Sequence, residues 1–100
     1  HREHDDLWAF VHLLEDIARL AAFSGEPERA LELLGAAEAL RKEIGVPRGS
    51  TLDEEIAEDV EPAVAELGGE AREAARTRGR AYDRAKAIDA ALAPASPPAR

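Results

Sequence analysis

The sequence contains no cysteine among its 100 residues. This absence excludes disulfides, thiolate nucleophiles and any zinc site built on sulfur. It fits a reducing compartment, and we expect the cytoplasm. Long apolar runs are also missing, because charged residues interrupt every one of them. Neither a secretory signal nor a membrane-spanning helix can therefore be placed on the sequence.

Methionine is absent as well, and the chain begins with His1. Translation ordinarily starts at methionine, so we expect the chain to be a fragment of a longer protein. Its length suits one compact domain rather than two, which we place at residues 1–92. Residues 93–100 are rich in proline and alanine. They predict a disordered tail or linker, because proline cannot continue a helix and the segment has little to bury.

Acidic residues outnumber basic ones, with 21 Asp and Glu against 13 Lys and Arg and a formal net charge of -8. A domain with this charge is repelled by phosphate backbones and by anionic lipid. The composition therefore disfavours direct binding of nucleic acid or of a membrane by this chain.

Alanine, leucine, glutamate and arginine dominate the sequence, and no segment alternates with period two. This composition predicts an all-α fold of about five helices arranged as antiparallel helical hairpins. The first helix is expected from Asp5 or Asp6 to Phe23, and the second from Pro27 to Ile44. Gly25 suits the left-handed end of one helix and Pro27 the first turn of the next. The connection is so short that the two helices must lie antiparallel.

The second half predicts three further helices. Thr51, with Glu54 three residues later, forms a capping box that starts a helix running toward Leu67. Pro62 lies inside this helix and predicts a kink or break near residues 59–61. The next helix is expected from Glu70 to Thr77, and a turn at Gly79 then leads to a last helix over 82–92. Its predicted inward residues are Ala85, Ile88, Ala91 and Leu92.

The predicted hairpin carries small and large apolar residues in the order and spacing of a tetratricopeptide repeat. The small ones permit close approach of the helices, and the larger ones fill the space between them. Any alanine-rich hairpin shows some such spacing by chance, and the usual proline at the end of the repeat is missing. The predicted helix-packing residues are Leu14, Ile17, Ala18, Ala21, Gly25, Ala30, Leu34 and Ala37.

A longer resemblance runs from about Asp6 to Leu92. Its most specific element is the run Leu-Leu-Gly-Ala-Ala-Glu-Ala-Leu-Arg at 33–41, followed by Ile-Gly-Val-Pro at 44–47. The chain resembles the C-terminal tetratricopeptide-like region of large actinobacterial ATP-dependent transcriptional regulators of the LuxR and antibiotic-regulatory types. The resemblance implies a sensing or interaction segment whose nucleotide-binding and DNA-binding parts lie elsewhere in the parent. Pro62 and the segment 82–86 depart from that pattern, which puts any shared partner surface in doubt.

Residues that could carry chemistry are sparse. His1, His4 and His12 lie near carboxylates, but they form no closed ligand motif, so we predict no metal site. No glycine-rich phosphate loop is present, so we expect neither ATP nor another cofactor on this chain. A nucleophile, a base and oxyanion donors cannot be assembled, so we predict that the chain is not an enzyme.

Two charge clusters and two aromatic residues remain. The acidic residues of 53–61 could recruit cations or a basic partner, but we interpret them as a solvated helix face. The basic residues of 72–86 could contact a phosphate, but we expect them to pair with the acidic helix or across a subunit interface. Trp8 and Tyr82 are either partner anchors or plugs of a core or interface. The candidate partner-contact residues are Trp8, Arg76, Arg80 and Tyr82.

Two functions fit these observations. The favoured one is a non-catalytic module that binds a protein, a peptide or an effector, or another domain of its parent regulator. The alternative is a structural C-terminal cap or homodimerisation element of a repeat array. Apolar outer faces on the third to fifth helices would favour dimerisation, and polar outer faces would favour a cap.

Overall fold

The computed structural model describes residues 2–93, with side chains from Asp6 onward. Within this range the chain forms five α-helices and no strand, which confirms the predicted all-α class. No helix in the described range is long and apolar enough to cross a bilayer. The helices are α1 (Arg2–Phe23), α2 (Pro27–Ile44), α3 (Ser50–Val64), α4 (Gly69–Arg80) and α5 (Arg84–Leu92).

The turn between α1 and α2 forms as its residues dictate. Gly25 adopts the left-handed conformation with φ 77°, which costs glycine little because it has no Cβ. The Glu26 amide donates to the Ala21 carbonyl oxygen at 2.9 Å, and Pro27 occupies the first turn of α2. Helix α1 begins at Arg2, three residues before the predicted Asp5. Helix α2 has the predicted bounds.

Helix α2 is the centre of the molecule. It packs most extensively against α4 and α1, and less against α3 and α5. Its amphipathic pattern is correspondingly broad, because apolar residues are buried on several sides of the helix. The buried apolar residues of α2 are Ala30, Leu31, Leu33, Leu34, Ala36, Ala37 and Leu40.

Helix α3 differs from its prediction at both ends. It starts at Ser50, so the N-cap residue is Gly49 instead of the predicted Thr51. Gly49 has no side chain that could accept a capping hydrogen bond. Of the predicted kink or break near residues 59–61, the break is wrong, because α3 continues through Pro62 to Val64. Pro62 lies only two residues before the end of the helix and is exposed. The helical hydrogen bond that Pro62 cannot donate is therefore lost close to the end of the helix.

The predicted turn at Gly79 is also wrong, because α4 continues through Gly79 to Arg80. Gly79 is buried against α2, where an added Cβ would meet the Glu32 carbonyl oxygen and lie 3.0 Å from the Ala36 amide nitrogen. Gly35 of α2 faces α4 in the same way, with the Arg80 amide nitrogen 3.0 Å from its Cβ position. The two glycines thus let the backbones of α2 and α4 approach closely.

Helix α5 begins at Arg84, two residues after the prediction, and the Asp83 side chain caps it by accepting from the Lys86 amide at 2.8 Å. Its inward residues are Ala87 and Ala91. Ala85 is exposed, as are Ile88 and Leu92, with 42% and 75% of their surface accessible. The predicted inward face was therefore wrong at these three positions, because α5 rests on α2 through small residues only.

A groove between α3 and α4 as the candidate functional site

Helices α3 and α4 follow each other closely along the chain but scarcely contact each other. Both lie beside α2, and the space between them forms a groove of about 490 Å³. We call this space the α3–α4 groove. The predicted packing of α1 on α2 is therefore present, whereas α3 and α4 each rest on other helices rather than on each other.

The floor of the groove is apolar, and its two walls carry opposite charge. Leu31 and Leu34 of α2 form the floor together with the inner side of α3, which carries Ile56, Val60 and Val64. The α4 wall is mainly basic, and the α3 wall is acidic and interrupted by the exposed Ala57. The charged lining residues are Arg72, Glu73, Arg76 and Arg80 on α4, Asp53 and Glu61 on α3, and Arg48 in the loop before α3.

One ion pair joins the two walls near the end of α3. Arg72 donates from Nη2 to Glu61 Oε1 at 3.2 Å and from Nε to the Val64 carbonyl oxygen at 3.0 Å. The second bond caps the C-terminal end of α3, where a positive charge is favourable. Arg72 therefore links α4 to the C-terminal end of α3.

The groove opens into a second pocket of about 600 Å³ beside the α2–α3 loop. Arg48, Asp53 and Arg76 line both spaces, so the two form one continuous depression. Val46 and Pro47 give this end an apolar rim. Within the described part of the chain, the buried Nη2 of Arg48 finds no hydrogen-bond partner.

A buried ion cluster fixes the loop that forms this end of the depression. Glu15 is 2% exposed, and its carboxylate accepts from Arg41 at 2.7 and 2.8 Å and from Arg48 Nε at 3.0 Å. Arg48 also donates from Nη1 to Asp53 at 2.7 Å. Charged hydrogen bonds of this kind are strong and directional. The cluster thereby ties α1, α2, the loop and the start of α3 together.

The Glu15 carboxylate stays ionised despite its burial. Burial alone would raise the pKa of Glu15, but the hydrogen bonds and positive charges of Arg41 and Arg48 outweigh it and lower this pKa below its ordinary value. Trp8 adds a cation–π contact, with its ring centroid 5.2 Å from the Arg41 guanidinium carbon.

The buried ion cluster was not predicted from the sequence. A signal was present, because Glu15 lies four residues after Val11 and three before Ala18, on the buried face of α1. Arg41 likewise follows the buried Ala37 by four residues on α2. Opposite charges on the facing sides of two paired helices predict such an ion pair.

The basic residues of the C-terminal third pair mainly with α2 rather than with the acidic helix. Arg76 donates to Glu38 at 2.7 Å, and Arg80 donates to the same carboxylate at 3.0 Å. Further pairs join Arg78 to Glu32 at 3.2 Å and Arg84 to Glu43 at 3.0 Å. The expected pairing within the fold is present, and Arg72 is the arginine of this group that pairs with the acidic helix α3.

The four candidate partner-contact residues lie at different places. Arg76 and Arg80 both line the α3–α4 groove. Trp8 is half-buried against Arg41 and forms an edge-to-face contact with His12, with ring centroids 4.6 Å apart. The Tyr82 hydroxyl donates to Glu32, beside a separate depression next to α5. That hydrogen bond, together with burial, raises the pKa of Tyr82.

Most of the predicted helix-packing residues are buried. Ile17 is only half-buried, and Gly25 is exposed in the turn. The buried ones are Leu14, Ala18, Ala21, Ala30, Leu34 and Ala37.

Within the described residues, no group of three or more His, Asp or Glu side chains is arranged to hold a metal ion. His12 faces Glu15 with 3.9 Å between Nδ1 and Oε1. The side chains of His1 and His4, and residues 94–100 of the predicted tail, lie outside the described part of the chain.

Comparison of the chain with protein-family models, with curated proteins and with solved structures finds no match.

Proposed function

We propose that this chain is a non-catalytic interaction module that binds a peptide segment of a protein partner, or of another domain of its parent, in the α3–α4 groove. The observation that carries the proposal is the separation of α3 from α4, which leaves a groove with an apolar floor beside α2. Helix-in-groove recognition uses a floor of this kind to bind the apolar face of an amphipathic segment.

The chemistry of the walls supports the same function. A basic wall on α4 faces an acidic wall on α3, so a bound segment is oriented by acidic residues on one flank and basic residues on the other.

The resemblance to regulator C-terminal regions supports a role in transcription control. In that role, occupancy of the groove shifts the parent between resting and active states, because a ligand favours the state that it binds better. A structural cap is less well supported, since a cap has no need for a groove lined by both charges.

The test is a random peptide library displayed on phage and selected against the purified chain. Ala57→Trp fills the groove from an exposed position, and Ala74→Trp places the same side chain on the exposed side of α4 outside it. We expect selected peptides to bind Ala57→Trp at least about tenfold more weakly than the wild type, and to bind Ala74→Trp unchanged. Peptides that are indifferent to Ala57→Trp, or a library that yields no binder, would count against the proposal.

A further inference from the structure

The depression formed by the α3–α4 groove and the pocket beside the α2–α3 loop is a basic region of an acidic molecule. Of the 13 Lys and Arg residues of the chain, six line the depression, whereas only four of its 21 Asp and Glu residues do. Positive charge stays in excess there even when the buried Glu15 behind Arg41 and Arg48 is counted. A concave surface with an excess of one sign of charge concentrates ligands of the opposite sign.

Every carboxylate that lines the depression already pairs with an arginine. Glu38 even pairs with two, Arg76 at 2.7 Å and Arg80 at 3.0 Å. A basic group on a ligand would therefore compete with an arginine for its acidic partner. The paired carboxylates are Glu38, Asp53, Glu61 and Glu73.

Lys42 differs from the arginines of the depression. It lies in the last turn of α2, lines the pocket beside the α2–α3 loop, and is exposed. Within the described part of the chain, its ammonium group has neither an ion-pair nor a hydrogen-bond partner. Lysine presents a compact positive charge with three donors on a flexible stem. A carboxylate on a ligand can therefore pair with Lys42 without breaking an ion pair of the fold.

We propose that the segment bound in the α3–α4 groove is an amphipathic peptide that carries one or two carboxylates at the end that meets Lys42. This inference rests on the peptide-binding function proposed above and names the chemistry of the bound segment. Its apolar residues lie on the groove floor at Leu31 and Leu34, and its acidic end lies in the pocket beside the α2–α3 loop. The number of carboxylates is small, because the net charge of -8 repels a strongly acidic ligand.

The positions of the floor and of Lys42 along α2 determine the spacing within the bound segment. Lys42 follows Leu34 by eight residues, which corresponds to about 12 Å along the helix axis at 1.5 Å per residue. A helical segment that runs beside α2 therefore carries its acidic residue about eight positions from the apolar residue that rests on Leu34.

The first experiment changes the charge on the protein. The probe is a fluorescein-labelled peptide selected from the random library, and its binding is measured by fluorescence anisotropy. We expect Lys42→Glu to raise the dissociation constant by at least about fivefold, because two carboxylates then face each other. Lys42→Gln should weaken binding in the same direction by a smaller factor.

Lys86 provides the matched control. It is the other lysine of the chain, is exposed on α5, and lies outside the depression. Lys86→Glu changes the net charge by the same amount as Lys42→Glu, and it should change the dissociation constant by less than about twofold. Equal weakening by the two substitutions would show general repulsion, and no weakening by Lys42→Glu or Lys42→Gln would show that Lys42 does not bind the ligand. Either result overturns the inference.

The second experiment changes the charge on the peptide. Replacing its Asp and Glu residues by Asn and Gln should weaken binding to the wild type by at least about fivefold and remove the difference between wild type and Lys42→Glu. Replacing them by Lys should give a peptide that binds Lys42→Glu more tightly than the wild type. Failure of both exchanges overturns the inference.

The response to Ala57→Trp separates this inference from the function on which it rests. Peptides that lose binding to Ala57→Trp but are indifferent to the charge exchanges would leave the groove as a peptide site and overturn its preference for an acidic end. Peptides that are indifferent to Ala57→Trp would overturn the peptide-binding function, and the inference with it.

Discussion

At Glu15, a carboxylate lies between two guanidinium groups in the interior instead of facing solvent. Removing one partner of a buried ion pair leaves the other charge uncompensated, and this costs more than the pair itself contributes. Glu15 thus determines whether Arg41 and Arg48 can stay buried, and with them the loop that borders the α3–α4 groove.

Replacing this carboxylate by its neutral isostere tests that role. We expect Glu15→Gln to lower the free energy of unfolding by about 3 kcal/mol. The reason is that the buried Arg41 and Arg48 lose the charged carboxylate that they share. Asp16→Asn is the matched control, since Asp16 is 69% exposed on the same helix and should change stability little. Urea unfolding followed by Trp8 fluorescence measures both variants. Equal midpoints for the two would contradict the role given to Glu15.

The same carboxylate makes a defined contribution to the pH dependence of stability. Its pKa is lower in the folded chain than in the unfolded one, so its stabilisation is present above about pH 4.3, the ordinary value for glutamate. It is lost as the pH falls through the folded-state pKa. We therefore expect the stability difference between wild type and Glu15→Gln to shrink from pH 7 to pH 3. Urea midpoints at both pH values measure this, and a difference that grows on acidification would show that the sign is wrong.

At the scale of the helices, the elements that local chemistry defines were predictable. Gly25 and Pro27 set the α1–α2 turn, and Gly45 ends α2 with φ 72°, as a left-handed glycine does. Gly79 was not predictable in the same way, because a glycine reads locally as a turn. Its missing Cβ is required by the α2 backbone at Glu32 and Ala36. These residues lie 47 and 43 positions earlier in the sequence, so a local pattern does not reveal the contact.

Gly79 provides the test of this close approach. Gly79→Ala improves local helix propensity by about 1 kcal/mol, but its methyl group meets the Glu32 carbonyl oxygen. We expect a net loss of about 2 kcal/mol in the free energy of unfolding, since backbone cannot move aside cheaply. Gly69→Ala has nothing within 4 Å of the added Cβ and should be neutral or slightly stabilising. If thermal denaturation shows the two variants equally stable, the α2–α4 contact is looser than described.

The α3–α4 groove could not be predicted from the sequence. The α3 and α4 segments are each amphipathic and closely connected, and this favours a packed hairpin. Their separation depends instead on how each one rests on its neighbours, since α3 packs more on α1 and α4 on α2. Arg76 and Arg80 could be named as surface arginines, but their shared partner Glu38 and their place on the groove wall required the tertiary structure.

Across the whole molecule, the arginines of the C-terminal third lie within reach of carboxylates, chiefly those of α2. Together with the net charge of -8, this pairing opposes binding to a polyanion. We expect no measurable binding to duplex DNA at physiological salt by fluorescence anisotropy. Tight binding that weakens steeply with salt would show that the arginines act as a phosphate site.

NMR tests the proposed binding of a peptide between α3 and α4 most directly. The measurement is a titration of the ¹⁵N-labelled chain with one library-selected peptide, followed by amide chemical-shift changes at every described residue. We expect the largest changes to cluster at the groove, at Ala57, Glu61 and Arg76, and we expect Ala57→Trp to abolish them. Changes confined to the outer face of α1 or to α5 would contradict it.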